Sequence, residues 1–170
     1  MGQSFLQLTL GVVVAFVTIN ALKWCMTRNS AFQPQDFMTY LLNRAAEATS
    51  QAFQKSYKSK YGMLRTEWRV LFHLGCYGDL TAKDISLRAD LHKTKISRAV
   101  AALEMRRFLS RRTRPEDRRH EVLTLTKLGQ SAFHDLIGDA ERYNEALMAP
   151  FSAQEQALLR RLLLSIAAEA

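Results

Sequence analysis

Basic residues are concentrated in one stretch of this sequence. Eleven of the 24 Lys and Arg residues lie between Arg88 and Arg119, where there are only four acids. This window carries +7 of the formal net charge of +8, so the rest of the chain is nearly neutral. Because concentrated charge attracts a polyanion over a distance, the window predicts a surface that binds nucleic acid or an anionic membrane.

Residues 93 to 107 of this window have the periodicity of an amphipathic helix. Ile96, Val100 and Leu103 fall on one side of a helical wheel and are predicted to face the core. The opposite side is cationic and rich in hydroxyl groups at its N-terminal end, which is the chemistry that a recognition helix presents to DNA. The residues predicted to contact DNA are Lys93, Thr94, Lys95, Ser97 and Arg98.

These five side chains are predicted to have different roles. Arg98 is the best candidate for a bidentate contact with guanine, because its guanidinium matches the O6 and N7 acceptors. Thr94 and Ser97 suit bases or phosphates, whereas Lys93 and Lys95 suit backbone phosphates and give affinity without reading sequence. The alternative is that these are solvated residues of an exposed helix. That alternative explains any single lysine of this helix, but it does not explain why so many cations lie together in the helix and the hairpin that follows.

The sequence after this helix predicts a basic β-hairpin. Residues 109 to 113 form its first strand, residues 114 to 117 are turn formers, and residues 120 to 125 form its second strand. The side chains predicted to contact DNA from this wing are Arg112, Arg114, Arg118 and Arg119. Arg118 and Arg119 lie near the tip, where guanidinium groups can enter a minor groove. Asp117 is predicted to orient one of them through a salt bridge.

The remaining elements are predicted to be helices. One follows Pro34 and ends near Tyr57, and another spans residues 65 to 74, with Trp68, Leu71 and Phe72 buried and Gly75 and Gly78 bracketing the next turn. A short helix begins at Thr81, which forms a capping box with Asp84. It and the 93–107 helix are spaced as a helix-turn-helix. A fifth helix follows Thr126 and ends near Met148, and a leucine-rich sixth begins with a capping box of Ser152 and Glu155.

Composition favours a single, mainly helical domain. The 170 residues are 48% apolar, with only seven Gly and three Pro. Two cysteines, Cys25 and Cys76, indicate a reducing compartment without a structural disulfide, and Cys76 is expected to be a small packed residue. His73 and Cys76 share a helical face, but two ligands do not make a metal site. No phosphate loop or catalytic motif occurs, so neither an enzyme nor a cofactor is predicted.

The N-terminal segment has several interpretations. No charged residue occurs in residues 5–22, a length that just crosses a thin bilayer, and Lys23 and Arg28 would hold the C-terminal side of the segment in the cytoplasm. Polar residues within the segment dilute its hydrophobicity. We favour an unstructured extension, or upstream sequence preceding a natural start at Met26. A membrane tether and an additional packed helix are the alternatives.

Several motifs of this chain resemble the MarR family of winged-helix regulators. The matching stretches are residues 80–85 (LTAKDI), 93–100 (KTKISRAV), Asp117-Arg118-Arg119 and 125–129 (LTKLG). Residues 67–71 (EWRVL) also match the second helix of the family. The resemblance covers roughly residues 34 to 168. One departure is Leu64, which stands where the family often has Ser or Thr, so this helix is expected to be capped differently.

The resemblance implies a transcriptional regulator in the cytoplasm that binds a palindromic operator in double-stranded DNA as a homodimer. It implies repression relieved by a small-molecule effector, held between the first, second and fifth helices. The expected organisation is an extension at 1–33, a dimerisation helix at 34–60, a winged helix-turn-helix domain at 61–125 and C-terminal dimerisation helices at 126–170. The leucine-rich last helix also favours a dimer. A membrane-tethered regulator and a winged helix that docks on RNA or protein remain alternatives.

Overall fold

The computed structural model describes residues 32–114 and 117–169, with side chains described at 32–112 and 121–168. The helices are α1 (Met38–Tyr61), α2 (Arg65–Tyr77), α3 (Ala82–Ala89), α4 (Lys93–Met105), α5 (Lys127–Met148) and α6 (Ala153–Glu169), with a 3₁₀ turn at Pro34–Asp36. The strands are β1 (Leu80–Thr81), β2 (Leu109–Arg114) and β3 (Asp117–Leu125). The predicted fold class is therefore confirmed: a mainly helical protein with a small antiparallel sheet.

The chain divides after Glu47 into two units. In the described part of the first unit, the rings of Phe32 and Phe37 lie 5.6 Å apart, between centroids. The start of α1 exposes Met38, Tyr40 and Leu41. This helix was predicted to begin at Pro34, but Pro34 starts a separate 3₁₀ turn. The second unit, residues 48–170, contains the helix-turn-helix and the sheet.

The sheet has the strand order β1-β3-β2, and both pairings are antiparallel. Strands β2 and β3 form the predicted hairpin, with Leu109 opposite Leu125 and a register shift after Thr113. Both strands extend into the predicted turn of residues 114 to 117, because Arg114 and Asp117 pair with each other across the hairpin. Strand β1 was not predicted. It is two residues long and pairs Leu80 with Leu123. A segment that short has no periodicity of its own, so its strand conformation is set by the pairing with β3.

One hydrophobic core joins the elements of the second unit. Its side chains come from α2, α3, α4, the hairpin and α5, and Tyr57 of α1 lies against them. The fully enclosed members include Val70, Leu71, Ile85, Ile96, Leu103, Leu123 and Leu136. Burial of each such side chain contributes roughly 1.5–3 kcal/mol. The core therefore fixes the position of α4 relative to the hairpin.

The start of α3 is as predicted. The Thr81 hydroxyl accepts from the Asp84 backbone N–H at 3.1 Å, and the Asp84 carboxylate accepts from the Thr81 backbone N–H at 2.9 Å. The hydrogen bonds from Thr81 lower the pKa of Asp84 below its ordinary value. Ile85 is buried one turn into the helix. The helix ends at Asp90, which has a left-handed backbone conformation with φ of 46°.

Helix α2 is three residues longer than predicted, because Gly75 lies inside it and only Gly78 ends it. The reason for glycine at position 75 is close packing: a Cβ there would lie 2.2 Å from the ring of Phe133. Trp68 and Phe72, which were expected to be buried, are only partly so. Leu71 is fully buried, as predicted.

An ion-pair network joins the end of α1 to α5. The Lys60 Nζ lies 3.0 Å from an Asp135 oxygen and 2.8 Å from an Asp139 oxygen. The Tyr61 hydroxyl donates to Asp135 at 3.0 Å. The hydrogen bonds that Lys60 donates to Asp139 and Asp135 raise the pKa of Lys60, and those that Lys60 and Tyr61 donate to Asp135 lower the pKa of Asp135. The network therefore favours the charged state of both groups.

Two further predictions concern the N-terminus and the cysteine. Residues 5–22, for which a membrane tether was considered, lie outside the described residues. Among the residues that are described, no helix combines the length and the apolar character needed to span a membrane. Cys76 was expected to be packed, but it is exposed. Partial desolvation raises the pKa of its thiol, which disfavours the reactive thiolate.

Candidate nucleic-acid interface

Helix α4 separates its apolar and polar residues as the sequence predicts. Ile96, Val100 and Leu103 are buried, together with Ala99 on their flank. The residues predicted to contact DNA from this helix are all exposed: Lys93, Thr94, Lys95, Ser97 and Arg98. Ala101 is exposed on the same face, so no large side chain stands between the backbone there and an approaching surface. The face is therefore open to a groove of DNA.

The exposed cations of α4 have no ion-pair partner within the described part of the chain. Lys93, Lys95 and Arg98 form no ion pair with any described residue. Lys95 and Arg98 also line a groove of about 260 Å³ that reaches Thr66 at the start of α2. Their charge is consequently available to an external anion.

His92 caps the N-terminus of α4. Its Nδ1 accepts a hydrogen bond from the Thr94 backbone N–H at 3.3 Å. In the preceding turn, the Ser86 hydroxyl donates to the Leu91 carbonyl at 2.5 Å. The sequence predicted a turn at residues 90 to 92 but did not identify the cap. These contacts fix the direction in which the first turn of α4 leaves α3.

A buried carboxylate links α4 to the start of α2. Glu67 is only 4% exposed, and its Oε2 accepts from the Leu64 backbone N–H at 3.0 Å. The Arg106 Nη1 lies 3.3 Å from the same oxygen and also donates to the carbonyls of Tyr61 and Gly62. The expectation that α2 is capped differently at Leu64 is therefore confirmed, since Glu67 supplies the cap. Arg106 belongs to the basic window, but it has a structural role.

Two other arginines of the window are also held by the protein. Arg111 donates to Glu104 at 2.9 Å and to Glu121 at 2.8 Å, which ties β2 to α4 and to β3. These hydrogen bonds raise the pKa of Arg111. The guanidinium of Arg88 lies 4.6 Å from the centroid of the Tyr77 ring. The window therefore contains two kinds of cation: arginines held by contacts within the protein, and cations without an ion-pair partner among the described residues.

The wing is described in part. Arg112 is exposed on β2, opposite Val122, and forms no ion pair with another described residue. The backbones of Arg114 and Asp117 are paired across the hairpin. Arg118 and Arg119 follow in β3. The side chains of these last four residues lie outside the described part of the chain, so the orienting role of Asp117 and the contacts of the three arginines stay predictions.

A cavity of about 340 Å³ lies among α1, α2 and α5. Its lining residues are Thr49, Ser50, Phe53, Trp68, Phe72, Ala140, Tyr143 and Leu147. The centroid of the Phe53 ring lies 5.5 Å from that of Trp68 and 5.5 Å from that of Tyr143. These three rings form one wall of the cavity. The Tyr143 hydroxyl donates to the Thr49 carbonyl at 3.0 Å, which fixes that ring. The cavity is therefore apolar and aromatic, with hydroxyl groups at positions 49 and 50.

A short helix capped by Thr81, an exposed basic helix and an antiparallel hairpin define a winged helix-turn-helix protein. A sequence model of the MarR family matches residues 64–120. The HTH-type transcriptional regulator YxaD of Bacillus subtilis (strain 168) is 30% identical over 110 residues, which are 64% of this chain and 76% of that protein. The chain therefore belongs to the MarR family; it is a transcriptional regulator and not an enzyme.

Solved structures agree with this assignment. A MarR/EmrR family transcriptional regulator from Acinetobacter sp. ADP1 is similar with a TM-score of 0.75 and 26% identity, covering 81% of this chain and 96% of that one. A MarR family regulator from Listeria monocytogenes, crystallised with 26mer DNA, has the same fold with a TM-score of 0.73. Its identity is 16%, over 78% of this chain and 88% of that one.

Proposed function

We propose that the protein binds a palindromic operator as a homodimer, with one α4 helix and one wing on each half-site. The observation that carries this proposal is the exposed face of α4, on which Lys93, Lys95 and Arg98 have no ion-pair partner among the described residues. Arg112 adds a further exposed cation on the adjacent hairpin. Two-fold symmetry then sets half-sites about 10 base pairs apart, one turn of the DNA helix.

The apolar surface of α6 supports dimerisation. Its large apolar side chains are between 41 and 66% exposed: Leu158, Leu159, Leu162, Leu163, Leu164 and Ile166. Exposed apolar area of this extent marks an interaction surface. We assign residues 34–60 and 126–170 to the dimer interface, residues 61–125 to DNA binding, and residues 1–33 to an extension. A protein that binds operator DNA works in the cytoplasm, and we infer repression as its effect.

Substitutions in α4 test the division between base and phosphate contacts. Arg98→Ala is expected to weaken operator binding by about 1–3 kcal/mol for each half-site and to relax the preference at one base position in each. Lys95→Ala is expected to weaken all sequences alike and to reduce the log–log salt slope by about one for each half-site. Operators selected from random DNA and fluorescence anisotropy at several salt concentrations provide both measurements.

Lys83→Ala is the matched control, because Lys83 is an exposed lysine on α3 outside the proposed contact set. It should leave operator affinity, the salt slope and base preferences unchanged. For the native dimer, neutralising roughly eight phosphates gives a slope near −7. Equal affinity for RNA of the same sequence, or a base-selective loss in Lys95→Ala, would contradict the proposed interface.

We further propose that the cavity among α1, α2 and α5 binds a small aromatic effector that releases the operator. The tilted aromatic rings of one wall favour an apolar ring, and the hydroxyl-bearing residues of the lining can orient a polar substituent. Because this cavity contacts α1, α2 and α5, a ligand there can change how the DNA-binding residues of a dimer are spaced.

Filling the cavity tests the effector proposal. Ala140→Leu adds three carbons to the lining of the cavity, so it is expected to reduce effector affinity at least tenfold while leaving operator affinity nearly unchanged. Trp68 lines the cavity, so in a Trp24→Phe background, where it is the remaining tryptophan, quenching of its fluorescence by members of an aromatic compound library reports binding. An effector that quenches Trp68 and releases DNA equally well from Ala140→Leu would show that it binds elsewhere.

A further inference from the structure

A separate cavity lies between the C-terminal end of α2, strand β3 and the start of α5. Its volume is about 250 Å³, and it shares no lining residue with the aromatic cavity. The residues that give it chemical character are Leu74, Gly75, Asp79, Thr124, Phe133 and His134. None of them belongs to the proposed DNA-binding set, so this cavity has no role in the function described above.

The floor of this cavity contains an unpaired hydroxyl group. The Oγ1 of Thr124 is buried and has no hydrogen-bond partner among the described residues. Leaving a buried hydroxyl without a partner destabilises a protein, because the group has lost its hydrogen bonds to water. Thr124 lines the cavity while its Oγ1 is enclosed, so a rotation of the side chain brings the hydroxyl to a polar group of a bound molecule, which then forms the missing hydrogen bond. The hydroxyl both donates and accepts, so it does not by itself select the charge of that molecule.

The charge of the ligand follows from Asp79 and His134. Asp79 is the one charged side chain among the described residues that line the cavity, although the whole chain is strongly basic. The His134 Nδ1 lies 2.7 Å from the Gln130 carbonyl, which can only accept, so Nδ1 carries the hydrogen. In the neutral ring Nε2 is then an acceptor. A carboxylate and an imidazole acceptor favour a cation over an anion.

The remaining surface of the cavity is apolar. Leu74 is buried beneath it, and the ring of Phe133 covers Gly75 so closely that no side chain fits at that position. An aromatic ring attracts a cation to its face in addition to packing against apolar atoms. At about 250 Å³ the cavity is smaller than the usual sites for drug-sized ligands, so it suits a molecule with a single ring.

We propose that this cavity binds a small organic cation, a single-ring ammonium or amidinium compound. Its charged group pairs with Asp79 and hydrogen-bonds to Thr124 or His134, and its ring packs on Phe133. The proposal does not depend on the operator or on the effector assigned to the aromatic cavity. It assigns a second ligand site at the base of the wing, on the strand that carries Arg118 and Arg119.

The test uses the full-length protein and three probes of the same shape: benzylammonium, benzyl alcohol and benzoate. We expect benzylammonium to shift the backbone amide NMR signals of Gly75, Asp79, Thr124 and Phe133 with a saturable dissociation constant. Benzyl alcohol is expected to bind at least about tenfold more weakly, because it lacks the charge-assisted hydrogen bond to the carboxylate. Benzoate is expected not to bind there, because Asp79 repels it.

Matched variants separate the contributions of Asp79 and Thr124 to the binding of benzylammonium. Asp79→Asn is expected to weaken benzylammonium about tenfold, whereas Glu145→Gln, which removes an exposed acid of α5 outside the cavity, should have no effect. Thr124→Val keeps the side-chain volume and removes the unpaired hydroxyl. It is expected to weaken benzylammonium roughly threefold and to raise the melting temperature of the free protein.

Four results of the binding experiments would overturn the proposal. They are the absence of any shift up to the solubility limit of benzylammonium, equal affinity for benzyl alcohol, undiminished binding by Asp79→Asn, and shifts centred on Trp68 and Tyr143 of the aromatic cavity. The thermal measurement on Thr124→Val is independent of any ligand. A lowered melting temperature would show that the hydroxyl is paired in solution, which also contradicts the site.

Discussion

Removal of residues 150–170 is expected to convert the protein to a folded monomer with almost no affinity for its operator. The dissociation constant of the dimer should rise at least roughly a thousandfold, because each buried Leu or Ile side chain contributes about 1.5–3 kcal/mol. Operator binding should fall by about 10²–10⁴, because the second half-site is then no longer reached intramolecularly. Analytical ultracentrifugation and fluorescence anisotropy measure the two effects.

The truncated chain is expected to fold because α6 lies outside the core. None of its described residues is buried, and the core cluster is drawn from residues 57 to 136. The capping box of Ser152 and Glu155, with a hydrogen bond of 2.8 Å to the Ser152 N–H, serves only the removed helix. Circular dichroism and urea unfolding of the truncated protein therefore provide the control for folding.

A double substitution tests the interface without deletion. Leu159→Glu with Leu163→Glu places charges on one face of α6, since the two positions are one turn apart. This variant should be monomeric and fail to bind the operator. Gln154→Glu, an equally exposed substitution on the same helix, should remain dimeric. A truncated or doubly substituted protein that stays dimeric would show that α6 is not the main interface.

Local signals in the sequence predicted much of the DNA-binding region. The start of α3 follows from Thr81 and Asp84, because a capping box satisfies the backbone within four residues. The two faces of α4 follow from helical periodicity, and Ile96 and Arg98 lie where that periodicity places them. The hairpin was predicted from its apolar second strand and its turn residues. These features depend on residues that are close in sequence, so the sequence alone is sufficient to predict them.

The features that were not predicted depend on residues distant in sequence. Strand β1 forms only because β3 lies beside it, and position 75 within α2 requires glycine because Phe133 from α5 packs against it. The charge count of the basic window gave no means of separating Arg106 and Arg111 from the exposed cations. Their partners include Glu67 and Glu121, which lie outside the window. The net charge of the window predicts that the partner is a polyanion. Which cations are free to contact that partner, and which form ion pairs within the protein, follows only from the fold.

The contact of the exposed Arg106 with the buried Glu67 carboxylate should have the largest effect of any single contact on stability. Arg106→Ala is expected to lower the free energy of unfolding by about 2–3 kcal/mol, because it removes the positive charge from the buried carboxylate and leaves it the hydrogen bond from the Leu64 N–H. Glu67→Gln is expected to lower it by only about 1 kcal/mol. The amide can still accept from Leu64, and the Arg106 side chain, 37% exposed, can be hydrated.

A double variant separates the loss of the charge pair from the loss of packing by the Arg106 side chain. If the uncompensated carboxylate dominates, Glu67→Gln combined with Arg106→Ala should be more stable than Arg106→Ala alone. Arg111→Ala is the control: its partners Glu104 and Glu121 are well exposed, so its loss should change the free energy of unfolding by about 1 kcal/mol or less. Urea unfolding at a fixed protein concentration measures all four variants, since the stability of a dimer depends on concentration.

The same pair should influence DNA binding through the position of α4. Arg106 holds the C-terminal end of α4 to Glu67, Tyr61 and Gly62, at the junction of α1 and α2. Loosening that end lets the Lys95 and Arg98 side chains adopt more orientations, which raises the entropic cost of binding. Arg106→Ala should therefore weaken specific and nonspecific DNA alike, even where the protein is fully folded. A loss confined to one base position would instead mean that Arg106 contacts a base.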